Sequence, residues 1–245
     1  MEEKIKISMI CCWTREDMVA DMQKSTNSFQ HYEIEWVLID NRESAYTSAA
    51  AALNAGFLRS TTNYLIFLHQ DIVFHSEEDL ERIINEIKNN RIVGVAGRKE
   101  NGGPLVTSIV DGVHHERTHH YPFHGEAEKV FTLDECLIGM NRQIFSELHG
   151  FDEDYFDGWH FYGVDLCIRA NLHHIECVVV PSKLWHRSKG THDQKWELYE
   201  KKLRKRYKNR YGVLYYPCGR CYANPILFYA TKWLRPLRKQ MLSGK

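Results

Sequence analysis

Two aspartates in this sequence close apolar runs: Asp40 ends EWVLID, and Asp71 ends YLIFLHQD. A carboxylate at a strand end can accept hydrogen bonds from a nucleobase or ribose, and a second one deeper in a cleft can hold a cation that neutralises a diphosphate. Other groups suited to a nucleotide sit beside them. Trp13, Thr14 and Arg15 follow the first apolar run, Asn41 follows Asp40, and His69 and Gln70 precede Asp71. Histidines also crowd HHERTHHYPFH, from His114 to His124, a density that raises the question of metal binding. The segment lacks cysteine partners and helical i, i+4 spacing, so it reads instead as a solvated loop over an acceptor site. Cys218 and Cys221 form a lone C-x-x-C with no second pair and no thioredoxin-like context, which leaves neither a zinc site nor a redox pair.

These side chains become a site only if a scaffold aligns them. Residues 5 to 12 form a continuous apolar run, followed by a helical pattern from Glu16 to about Ser28. The unit recurs as residues 35–40 then the Ala-rich 47–59, and as 63–74 then 76–90, where Ser76 and Asp79 carry the spacing of a capping box. RIVGVAG (91–97) adds a further strand. Apolar β runs alternating with helices predict a Rossmann-like, mostly parallel sheet covered on both faces, with ligands at the carboxyl ends of its strands. Between Lys99 and Gly125 the pattern dissolves into Gly, Pro, His and mixed polar residues, a candidate functional loop or lid. It re-forms as KVFTLDECLIGM (strand), RQIFSELHG (short helix ending at Gly150), an aromatic loop FDEDYFDGWHFYG leading into VDLCIRANLHH, the strand ECVVVP and a basic helix from His192 to Tyr211.

Composition narrows the class. A chain of 245 residues with 43% hydrophobic content buries one good-sized core, and the balance of charged and aromatic residues excludes disordered and fibrous classes. No apolar run is long enough to span a bilayer, no signal peptide is read, and seven cysteines in odd number, mostly within apolar stretches, point to the cytoplasm. Net charge is zero, yet from Lys201 onward every charged residue is Lys or Arg. That divides the chain into a catalytic-type domain, 1–212, and a basic, aromatic extension, 213–245. The extension interleaves cations with apolar residues as peripheral membrane segments do, which suggests contact with the inner face of a membrane; no nucleic-acid recognition fold accompanies the charge.

The order of an opening strand, VLIDN, a helix with LNAGF, YLIFLHQDIVF and LIGMNRQIFSELHGFDEDYF resembles the GT-A glycosyltransferases of family 2, over about residues 4 to 190. The resemblance implies a nucleotide-sugar donor, commonly UDP-linked, a divalent metal (Mn2+ or Mg2+), and a glycan or lipid-linked acceptor. It assigns Asp40 to the nucleobase and Asp71 to the metal. The chain departs from the family's acidic motif at His69, an imidazole that can still ligate Mn2+. His186 in LWHRSKG corresponds to a histidine that completes the metal shell, with Arg187, Ser188 and Lys189 able to close over the diphosphate. In GWHFYGVDLCIRA the family's paired acids, the second of which is the base of inverting enzymes, are replaced by Tyr162 and Gly163. Asp165, which capping alone would also explain, is the expected base, with Asp157 and Glu135 as rivals. Trp159, His160 and Tyr162 are candidates for sugar contacts. Competing readings are a sugar-nucleotide nucleotidyltransferase, against which CCWTRED offers no glycine-rich phosphate loop, and a binding module that has lost turnover.

Overall fold

The computed structural model describes residues 3–188, 195–224 and 226. Its first half is built from β1 (Ile5–Trp13), α1 (Glu16–Lys24), β2 (Tyr32–Asp40), α2 (Ala49–Arg59) and β3 (Tyr64–Leu68). The continuous apolar character of these strands has a simple cause. In β1, Ile7, Met9 and Cys11 enter one hydrophobic cluster and Ile10 enters the other, while in β3 Ile66 and Leu68 oppose Leu65 and Phe67 in the same way. Alternate side chains point to opposite faces, and both faces are covered.

The apolar stretch 63–74, expected as one strand, is broken where chemistry is needed. Strand β3 stops at Leu68, residues 69–71 turn, and β4 (Ile72–Val73) joins a different sheet. After α3 (Glu77–Lys88), RIVGVAG divides likewise into β5 (Ile92–Gly94) and β6 (Ala96–Lys99). Ser76 does stand at the N-cap of α3, but the capping box is not made: its hydroxyl lies 3.4 Å from Asp79 Oδ2, while Asp79 Oδ1 accepts from the Lys183 amide at 3.0 Å and anchors a distant loop.

The segment 99–125, expected as an irregular loop, carries β7 (Gly102–Thr107), β8 (Val110–Asp111) and β9 (Arg117–Thr118). Then come β10 (Glu128–Val130), β11 (Thr132–Leu133), β12 (Leu137–Asn141), α4 (Arg142–Glu147), α5 (Tyr162–Leu172), β13 (Cys177–Val179), β14 (Trp185–His186), α6 (Trp196–Tyr207), β15 (Val213–Tyr216) and β16 (Gly219–Tyr222). The central sheet has the order β10-β13-β5-β12-β3-β1-β2, with β12 and β10 running against the other five. It is therefore mostly parallel, as expected. A smaller sheet, β4-β14-β8-β9, stands where β3 ends.

The expected division after residue 212 does not match the packing. Leu214, Tyr216 and Cys221 are buried, Thr132 Oγ1 donates to Tyr215 O at 2.9 Å, and Arg98 Nη2 donates to Pro217 O at 2.9 Å. The β15–β16 hairpin thus belongs to the body of the domain. Its cysteines are free thiols. Most of the basic extension, together with Lys189 and the start of the expected basic helix at His192, lies outside the described residues; the helix itself spans Trp196–Tyr207. Among the described residues no helix is long and apolar enough to cross a membrane.

Candidate active site

A cleft of about 790 Å3 opens at the carboxyl ends of β1 and β3. Its floor is set by the turn that follows β3. The His69 amide donates to Cys136 O at 2.9 Å and the Ile72 amide to His69 O at 3.3 Å, so the chain folds back and Asp71 points inward. In the small sheet His186 pairs in register with Ile72 of β4 and with Asp111 of β8. Long-range pairing therefore brings residue 186 beside residue 71.

The result is a compact set of donor atoms. His69, Asp71 and His186 each offer one ligand atom, all within 4.8 Å of one another, a spread that a single cation bound by all three can bridge. Two imidazoles and one carboxylate suit Mn2+ better than Mg2+, which prefers an all-oxygen shell. His186 Nε2 is 3.6 Å from Asp71 Oδ2 and 3.1 Å from Ser188 Oγ. Burial pulls the His186 pKa down, but its bond to Asp111 and the charge of Asp71 outweigh that, so the net shift is upward. His69 is driven the other way, chiefly by burial.

The nucleotide-side residues divide into two groups. Thr14 and Arg15 line the cleft, and their amides both donate to Gln70 Oε1 at 2.8 Å. Gln70 is therefore a brace for the turn. Asn41 is a correction: its buried side-chain amide is spent on Tyr46, accepting from the amide at 2.8 Å and donating to the carbonyl at 3.1 Å. Asp40, expected at the nucleobase, is held by Arg42, with Nη2 to Oδ2 at 2.6 Å. The same guanidinium lies 4.6 Å over the Trp13 ring, whose buried Nε1 has no hydrogen-bond partner among the described residues.

The acidic candidates separate sharply. Asp165 does not line the cleft. Its carboxylate is fully buried between α5 and α6, where Tyr207 OH donates at 2.7 Å, Arg169 Nε at 2.8 Å, and Arg206 Nε stands 3.3 Å away. A base needs an oxygen facing its substrate, so this geometry corrects the expectation for Asp165. Asp157 is likewise corrected, because its exposed carboxylate pairs with Lys202 away from the cleft wall. Glu135 does line the cleft, as does Asp134 beside it. Glu135 Oε1 accepts the Gly163 amide of the α5 N-terminus at 2.8 Å, yet burial pushes its pKa up to about 8. Gly163 leaves room there, since a Cβ would fall 2.6 Å from Ile138 Cδ1 and 2.8 Å from Glu135 Cγ.

Trp159, His160 and Tyr162 all border the cleft. Trp159 is 40% exposed and available to a ligand, His160 packs edge-on to Trp196 at 5.0 Å, and Tyr162 is buried edge-on against Phe151 at 5.1 Å. Phe161, between them, adopts a left-handed backbone with φ 68°, a strained choice for a bulky residue that turns the loop into α5. Arg187 ion-pairs with Asp21 of α1. Asp111, His119 and Asp134 were not found by sequence reasoning, and all three border the cleft.

Known proteins share this fold. Residues 8–211 match the model of a family described as glycosyltransferase-like. A curated relative from Fuscovulum blasticum, described as ATP synthase subunits region ORF 6, is 23% identical over 226 residues, 84% of this chain and 86% of that protein. Among solved structures, GalNAc-T7 with UDP, GalNAc and Mn2+ aligns with a TM-score of 0.61 at 13% identity, and TarS of S. aureus with 0.55 at 13%. Each alignment covers 84% of this chain but only 51% and 40%, respectively, of the other, so the chain spans about half or less of those proteins. The chain belongs to the glycosyltransferase-like family and is a transferase built on the GT-A fold.

Proposed function

We propose that the protein transfers a sugar from a nucleoside diphosphate donor, UDP-linked by preference, to a hydroxyl of a glycan acceptor, with inversion at the anomeric carbon. The observation that carries the reading is the His69, Asp71 and His186 set in the same cleft as Glu135, in a chain of this family. The presence of UDP and Mn2+ in GalNAc-T7 is consistent with the same ligand classes here.

His69, Asp71 and His186 would hold Mn2+, which when bound supplies charge to neutralise the donor diphosphate and its departure. Thr14 and Arg15 border the phosphate side, on a turn stiffened by Gln70. The base would enter over Trp13 and against Asp40, taking the space that Arg42 fills, much as one planar cation gives way to one planar ring. Glu135 takes the proton of the acceptor hydroxyl while that oxygen bonds to the anomeric carbon and the bond to the diphosphate breaks. Its raised pKa makes the carboxylate an avid proton acceptor once ionised. The family's base position is Gly163, and Glu135 reaches the same helix N-terminus from another loop. Trp159 presents an aromatic face to the acceptor sugar.

Calorimetric titration with UDP, GDP and CDP, each with Mn2+ and with EDTA, tests the donor site. The expected result is metal-dependent binding of UDP that Asp71→Ala weakens at least 100-fold. Equal binding with EDTA, or by the Asp71 variant, would overturn the metal assignment.

A further inference from the structure

We propose that Asp111 is a positioning residue for the metal site, orienting His186 and in turn held by His119. This rests on the reading that His69, Asp71 and His186 bind a divalent cation. Asp111 comes from the segment between the two halves of the sheet, and only the pairing of β8 with β14 sets it against His186. Asp111 Oδ1 lies 3.3 Å from His186 Nδ1, and its other oxygen, Oδ2, lies 2.8 Å from His119 Nε2. Its carboxylate is 14% exposed, and Arg117 Nη2 stands 3.9 Å away.

An imidazole can give only one nitrogen to a cation, and the bond made by the other nitrogen decides which one. With Nδ1–H donating to Asp111, the Nε2 lone pair is left facing Asp71, 3.6 Å from Oδ2. Asp111 thus fixes both the ring rotation and the tautomer that the site requires. His119 holds the second oxygen, so the carboxylate cannot turn away without losing a bond. Because Asp111 ends β8 and His119 directly follows β9, its antiparallel partner, the histidine-rich segment acts as a strut for the metal site.

The test is Mn2+ affinity, read from the electron paramagnetic resonance signal of free Mn2+ in titrations of the full chain. The variants are Asp111→Asn, Asp111→Ala and His119→Gln. Losses of 10- to 100-fold in Mn2+ affinity are expected for Asp111→Ala, and smaller ones for Asp111→Asn and His119→Gln. Turnover should recover at saturating Mn2+, a split between metal KM and kcat that general loss of packing would not give. Should Asp111→Ala fail to fold, the isosteric Asn variant decides. Wild-type affinity within twofold in the folded variants would overturn the inference while leaving the metal site standing. Absence of Mn2+ binding by the wild type would overturn both.

Discussion

Helix α5 separates two acids with opposite fates, Asp165 fully buried and Glu135 half-buried at the cleft. On the side facing α6, Asp165 meets a tyrosine and two arginines, so its charge is neutralised and its oxygens are occupied. On the cleft side, Glu135 meets only backbone groups at the start of α5, and desolvation pushes it to about 8. The decisive difference lies in the partners. A carboxylate whose charge is fully compensated makes a strong joint and a poor base, whereas one left under-compensated stores the free energy that a proton transfer can use.

The largest effect that would break this contrast is on rate. Glu135→Gln keeps the shape and the acceptor for the Gly163 amide, and should lower kcat by about 1,000-fold, within the range for general bases. Steady-state kinetics with retained Mn2+ affinity would check it, and a loss under tenfold would transfer the role elsewhere. Asp165→Asn should do the reverse. Breaking a buried ion pair costs roughly 3–5 kcal/mol, so urea denaturation should show a loss of that order while the folded fraction keeps kcat within a few-fold.

The third effect, smallest per pH unit, is on the pH dependence of stability. An unfolded glutamate releases its proton near 4.5, but the folded one holds it until about 8. In that window the native state binds the extra proton, so Glu135 makes stability fall with rising pH, by at most about 1.4 kcal/mol per unit. Wild type minus Glu135→Gln, compared by denaturation from pH 5 to 8, should carry this negative slope. Wild-type turnover should rise over the same interval as the base ionises. A flat difference would mean that Glu135 is ionised throughout.

The periodicity of the chain carried the central sheet well, because β1, β2 and β3 are covered on both faces and read as unbroken apolar runs. His69 and Asp71 could be found for the same reason, since they lie just beyond the end of an apolar run, whereas His186 follows from the family resemblance. Asp165 looked catalytic because helix N-termini favour carboxylates whatever their task; Arg206 and Tyr207, 41 and 42 residues later, decide otherwise. Asp111 and His119 were illegible. Asp111 sits on a two-residue strand and His119 directly follows another, and no local pattern predicts a pairing of residue 111 with residue 186. The boundary at 212 failed because charge was taken for separation, although Leu214 and Tyr216 carry an apolar face into the core.

Gly163 and Glu135 cannot vary independently. A side chain at 163 would claim the volume around Glu135 Cγ, and shortening residue 135 would empty it. The two positions are therefore coupled: an acid at the helix start needs Ile138 Cδ1, 2.6 Å from the new Cβ, to shift as well as the loop acid to be given up, and each single step passes through an intermediate with either a clash or no base. Such a valley isolates this arrangement from its neighbours in sequence space, so that two enzymes with the same fold and the same proton to move would be separated by at least two substitutions, neither favourable alone.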